Sequence, residues 1–126
     1  MQEVFYKKMR VGILIRAFRH GSVPITDAEE PLQLVTLRHA KGTYLPAHAH
    51  AQRKRVAHSL HECLIVTKGK IRVDLYAPDK TPFRKITLKQ GDSFILQNGG
   101  YGIHVLADAE FFEIKNGPFL EDRVWL

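Results

Sequence analysis

The feature that most limits what this chain can become is its alternation. Apolar and polar residues trade places with a period of two through "VGILIRAF" (11–18), "LQLVTLRH" (32–39), "HECLIVTKG" (61–69), "KIRVDLYA" (70–77), "FRKITL" (83–88), "DSFILQ" (92–97), "YGIHVLAD" (101–108) and "EFFEIKNG" (110–117). A period of two is that of a strand with one face buried, and helical spacing is missing almost everywhere. Turn-forming residues punctuate the segments at Gly21 to Pro24, Asp27 to Pro31, Lys41-Gly42, Lys68 to Lys70, Pro78 to Pro82, Gln90 to Asp92, Asn98 to Gly100 and Asn116 to Pro118. Many short strands at this spacing predict an all-β antiparallel sandwich or barrel.

At 126 residues the chain has the length of one domain and enough surface to bury a core. Its apolar run from Val11 to Ile15 is stopped by Arg16, far short of a signal-peptide core or a membrane span, so a cytoplasmic protein without membrane contact is expected. Cys63 is the only cysteine, which excludes an intrachain disulfide and fits a reducing compartment. The net charge of +6 favours acidic partners. Nucleic acid is the weaker partner class, because the chain lacks the recognition helix and the aromatic-plus-basic stripe such binding uses.

One residue breaks the alternation where it matters. From Leu60 to Val66 the even positions are Leu60, Glu62, Leu64 and Val66, so a carboxylate shares an aliphatic, inward face. An inward carboxylate needs a cation, hydrogen-bond donors or water. Upstream, Tyr44, Pro46, His48 and His50 fall on one face of an extended segment, with the two imidazoles about 7 Å apart along it. Two imidazoles and a carboxylate suit a divalent transition metal such as Fe, Mn, Co, Ni, Cu or Zn. His104, in "GGYGIHVL", is the candidate fourth ligand. His58 and His61 read as surface residues, His20 and His39 as structural ones, and Cys63 as a packed small hydrophobe.

The order of these residues resembles a known family. Gly42, five residues, His48, one residue, His50, then Glu62, six residues, Gly69 resembles the first cupin motif, with eleven residues between His50 and Glu62 where three or four are usual. "GDSFILQNGGYGIH" (91–104) resembles the second motif, with Gln97 at its proline, Gly102 where its histidine is expected and His104 two residues later. The resemblance covers residues 34 to 115. A closer resemblance is to small cupins often encoded among surface-sugar biosynthesis genes, which share the eleven-residue loop and an ending like "FFEIKNGPF" (111–119); Tyr101 stands where that group carries histidine.

This resemblance implies one domain over residues 1–126, built as a jelly-roll barrel (a double-stranded antiparallel β-helix), holding one divalent transition metal on His48, His50, Glu62 and His104. Three alternatives stay open at the fourth position: His104 fills it, Tyr101 coordinates or caps the site, or metal affinity is degraded. Glu62, Tyr101 and Glu113 are the candidate proton-exchanging residues. Arg53, Arg55 and Tyr44 are the candidate contacts to a small anionic or sugar-like ligand, and a homodimer is expected. The implied activity is isomerase or epimerase chemistry; the alternatives are an Fe(II)-dependent dioxygenase and a non-catalytic cupin that binds a small ligand.

Overall fold

In a computed structural model covering residues 1–126, the protein is all-β, with no helix. Eight strands form: β1 (Gln2–Tyr6), β2 (Met9–Ile15), β3 (Gly21–Pro24), β4 (Val35–Arg38), β5 (Glu62–Tyr76), β6 (Pro82–Lys89), β7 (Ser93–Leu96) and β8 (Gly100–Lys115). Every pairing is antiparallel. The main sheet runs β1-β2-β7-β5-β6, β8 lies along the other side of β5, and β3 with β4 makes a separate hairpin.

Two long strands organise the sheet. β5 pairs with β7 through residues 62–65 and with β6 through residues 70–76, while β8 follows it from Glu62↔Lys115 to Tyr76↔Gly100. Irregular pairing between Val66 and Ile71 interrupts the register. The expected turn at Lys68 to Lys70 is therefore a bulged stretch inside a continuous strand, with Gly69 at φ +78°. Bulges sharpen strand curvature. They also exchange the faces: the inner residues are Leu64 and Val66 before the bulge, and Ile71, Val73 and Leu75 after it. The sheet curls as a result, and residues from opposite ends of β5 share one core.

That core holds Val4, Val11, Leu14, Leu64, Val66, Ile71, Val73, Leu75, Ile86, Leu88, Phe94 and Leu96, with Tyr101, Ile103 and Phe111 of β8 packed against it. A smaller cluster covers the opposite face, where Ile13, Ile15, Cys63 and Ile95 meet Ile25, Leu32 and Leu34. Coverage on both sides explains why β2 is buried continuously from Val11 to Ile15 instead of alternating. The return from β6 to β7 is held by Asp92: it is 2% exposed, its carboxylate accepts the Lys89 backbone N–H at 3.0 Å, and it pairs with Arg16.

Two further local readings change. Gly21 to Pro24, expected as a turn, is β3, because its backbone pairs with Arg38 to Val35. Residues 1–10 supply β1 and the start of β2. The stretch from Tyr44 to His50, expected to be extended, forms no strand. Pro46 offers no N–H to a ladder, and Ala47, Ala49 and Ala51 are weak strand formers.

One side of β8 is unpaired. Sixteen residues pair with β5 alone, and Val105, Leu106, Phe112 and Ile114 on this strand are exposed.

Candidate functional site

The site is built where the curl brings the ends of the long strands together. Direct opposition in antiparallel pairs places side chains on one face. Glu62 lies between Leu96 of β7 and Lys115 of β8, and Leu64 lies between Phe94 and Glu113. Glu62, Glu113 and Lys115 therefore rise from the inner surface beside the core. Tyr101 belongs to the far end of β8, opposite Leu75, also on the inner face.

Across the concave surface the Tyr101 hydroxyl donates to Glu62 Oε2, and it lies 3.3 Å from Glu113 Oε2. Lys115 Nζ pairs with Glu113 Oε1 at 3.1 Å. Burial pushes the Tyr101 phenol far above its ordinary range, and the hydrogen bond to Glu62 adds to the effect, so the hydroxyl stays protonated and acts as a donor. The hydrogen bond to Glu113 likewise raises the Lys115 pKa. Glu62 is half-buried, while the Glu113 and Lys115 side chains are 40% and 37% exposed, so the row opens toward solvent.

The other residues singled out in the sequence lie elsewhere. His104 is on the outer face, opposite Arg72, with its Nε2 3.0 Å from Asp74 Oδ2. Arg72 also donates to Asp74 and holds that carboxyl below the usual range. His48 and His50 stand exposed on the segment without strands, their rings edge to face at 5.2 Å between centroids. His48 Nδ1 is 3.0 Å from the Pro46 carbonyl, which can only accept, so this nitrogen is the donor of the pair. Tyr44 is 75% exposed, and its hydroxyl accepts the Ala47 N–H at 3.2 Å. Arg53 and Arg55 are exposed on the same segment.

The fit to a metal is partial. The two imidazoles are adjacent, but no three His, Cys, Asp or Glu side chains converge as a metal-holding group. As arranged, the donors expected together are held apart, with Glu62 occupied by Tyr101.

Sequence reading found Glu62, Tyr101 and Glu113 separately and missed Lys115. The signal was present: Glu113 and Lys115 are two apart in "EFFEIKNG" and share a face in any strand.

A second polar cluster lies on the opposite face. Arg10 Nε donates to Gln97 Oε1 at 2.8 Å, Arg10 pairs with Asp27 and Glu30, and Glu30 Oε2 is 3.7 Å from His61 Nε2. His61 is 4% exposed, which departs from the surface position expected for it. Desolvation lowers its pKa below 6.5; Glu30 opposes this and Arg10 adds to it. The folded protein thus binds the His61 proton less well than the unfolded chain does, so His61 favours folding above pH 6.5, and this is lost as pH falls through that value toward the lower folded pKa. The urea midpoint is expected to drop between pH 7.5 and pH 5.5, and to drop less in His61→Gln. Equal pH dependence in both proteins would contradict a buried neutral imidazole.

No helix is long and apolar enough to cross a membrane. Compared with protein families, curated proteins and solved structures, the chain finds no match in any of the three.

Proposed function

We propose that this protein is a cupin-type jelly roll that binds a small anionic or sugar-like ligand on its concave inner face and moves a proton there, as an isomerase or epimerase does. The supporting observation is the Tyr101 hydroxyl held by Glu62 and 3.3 Å from Glu113. When a ligand binds, the one phenol proton turns from Glu62 to the oxygen of its carbonyl, where negative charge builds when a neighbouring C–H is broken, and the Glu62 carboxylate is left free. Glu62 is the base that takes the proton from that carbon and returns it to the adjacent one, while Tyr101 gives its proton to the former carbonyl oxygen and takes the one from the neighbouring hydroxyl, so that carbonyl and hydroxyl exchange and both side chains end as they began. Glu113 orients the phenol, itself held by Lys115.

The test is hydrogen exchange in D2O. The protein is incubated with a panel of ketoses, sugar phosphates and 2-keto acids, and loss of the C–H signal next to the carbonyl is followed by NMR. Exchange with at least one compound is expected, and Glu62→Gln is expected to slow it by about 10²- to 10⁴-fold while retaining the wild-type circular dichroism. No exchange across the panel, or full rate in Glu62→Gln, removes the proton-transfer reading. Oxygen uptake in the presence of Fe(II) without such exchange would assign the dioxygenase alternative.

The metal is a separable part of the proposal, resting on the order of His48, His50 and Glu62 in the sequence, and no step above passes through it. Elemental analysis of protein produced without a metal-affinity tag in metal-replete medium is expected to find a near-stoichiometric transition metal, which His48→Ala releases. Metal-free protein from that preparation would remove this part alone.

A further inference from the structure

Lys115 is the least expected member of the inner row. It is the last residue of β8 and lies directly opposite Glu62, so ammonium and carboxylate leave the same surface side by side. Its Nζ is 3.1 Å from Glu113 Oε1. Its partner is a carboxylate two residues back on its own strand. An ammonium has three donors, and Glu113 takes one. The side chain remains 37% exposed, leaving the others available at the mouth.

The charge balance around the row gives those donors a purpose. Glu62 and Glu113 supply two negative charges to the concave surface, which would repel an anionic ligand. Lys115 offsets one of them, and Arg123 of the C-terminal segment is close enough to act electrostatically on Lys115. A negatively charged group makes fuller use of the ammonium than a neutral one, because a hydrogen bond between ions is the stronger. A ligand with a negative group at one end and a carbonyl at the other suits the arrangement: the anion meets the ammonium while the carbonyl reaches Tyr101 on the same surface.

We propose that Lys115 is the anion-recognising residue of this site and that its ligand carries a carboxylate or a phosphate. This rests on the small-ligand reading above and narrows its substrate class. Arg53 and Arg55, exposed on their segment, act at longer range by attracting the same anion, an effect that salt screens.

The test is calorimetric titration of the full chain with inorganic phosphate, pyruvate and glucose 6-phosphate, with glucose as the neutral control. Lys115→Met is expected to weaken anion binding by about 10- to 100-fold, the worth of a hydrogen bond to a charged group. Lys115→Arg, which keeps the charge, is expected to stay within about threefold of wild type. Dependence confined to phosphate and glucose 6-phosphate assigns a phosphate subsite; dependence confined to pyruvate assigns a carboxylate one. Unchanged anion affinity in Lys115→Met, or no titration of wild type by any of the three anions, overturns the proposal. If Lys115→Met does not fold, Lys115→Gln takes its place under the same criteria. Failure here is separable from failure of the proton-transfer reading. Exchange on a neutral ketose by the wild-type protein keeps that chemistry whatever the Lys115 variants do to anion binding, and Lys115-dependent anion binding without any exchange keeps this one.

Discussion

Phe94→Ala is expected to cost the folded state about 3–5 kcal/mol, the range for truncating a fully buried phenylalanine. The ring is 0% exposed and sits mid-row between Leu14 of β2 and Leu64 of β5. It is packed so closely on Gly12 that a Cβ there would run into it. β7 is only four residues long, yet it alone joins the β1–β2 pair to β5. The cavity would thus open at the sheet's narrowest seam, where neighbours on two strands have little freedom to collapse into it. Against a total of about 5–15 kcal/mol for an ordinary domain, this is a large fraction. Urea denaturation followed by circular dichroism checks it, and a loss below about 1 kcal/mol would show that the ring is not the centre of the core.

Gly69→Ala is expected to cost about 3–4 kcal/mol, by a different route. Gly69 has φ +78°, where an alanine loses roughly 1–2 kcal/mol. Its Cβ would point directly at the Asp108 carbonyl oxygen and come within 2.8 Å of the Ala109 Cα, both rigid backbone. The bulge must reshape, and with it the exchange of faces that puts Leu64 and Ile71 in one core. Gly91→Ala is the matched control. Its φ is +91° with nothing within 4 Å of the added carbon, so only the conformational cost, about 1–2 kcal/mol, is expected. Comparable urea midpoints for the two variants would mean that the contact with Asp108 is not what fixes the bulge.

The alternation in the sequence conveyed the class of fold because a face that must be buried imposes a period of two whatever the topology. It also placed Glu62 inward correctly, since that inference needs only the neighbours Leu64 and Val66. It did not show that "HECLIVTKG" and "KIRVDLYA" are a single strand: Gly69 resembles a turn glycine, and only the approach of Asp108 distinguishes a bulge from a hairpin. The gathering of Tyr101 with Glu62 was equally hidden. The two residues are far apart in sequence and meet through curvature, which local pattern does not encode. His104 shows the converse limit: parity within "YGIHVL" is easily counted, but which parity faces inward depends on pairing with Ile71, Val73 and Leu75 beyond the bulge. For Tyr44 to His50, the histidine spacing suggested a strand, while Pro46, Ala47 and Ala49 worked against one.

The unpaired border of β8 has a signature in amide exchange. In an antiparallel strand successive N–H groups point to opposite sides, so along sixteen residues about every other amide bonds to β5 and the rest meet water. Deuterium uptake along Gly100–Lys115 should rise and fall residue by residue like the teeth of a comb, interrupted only at the bulges. Anything that zips onto that border, whether another part of this chain or a second molecule, would fill the gaps between the teeth.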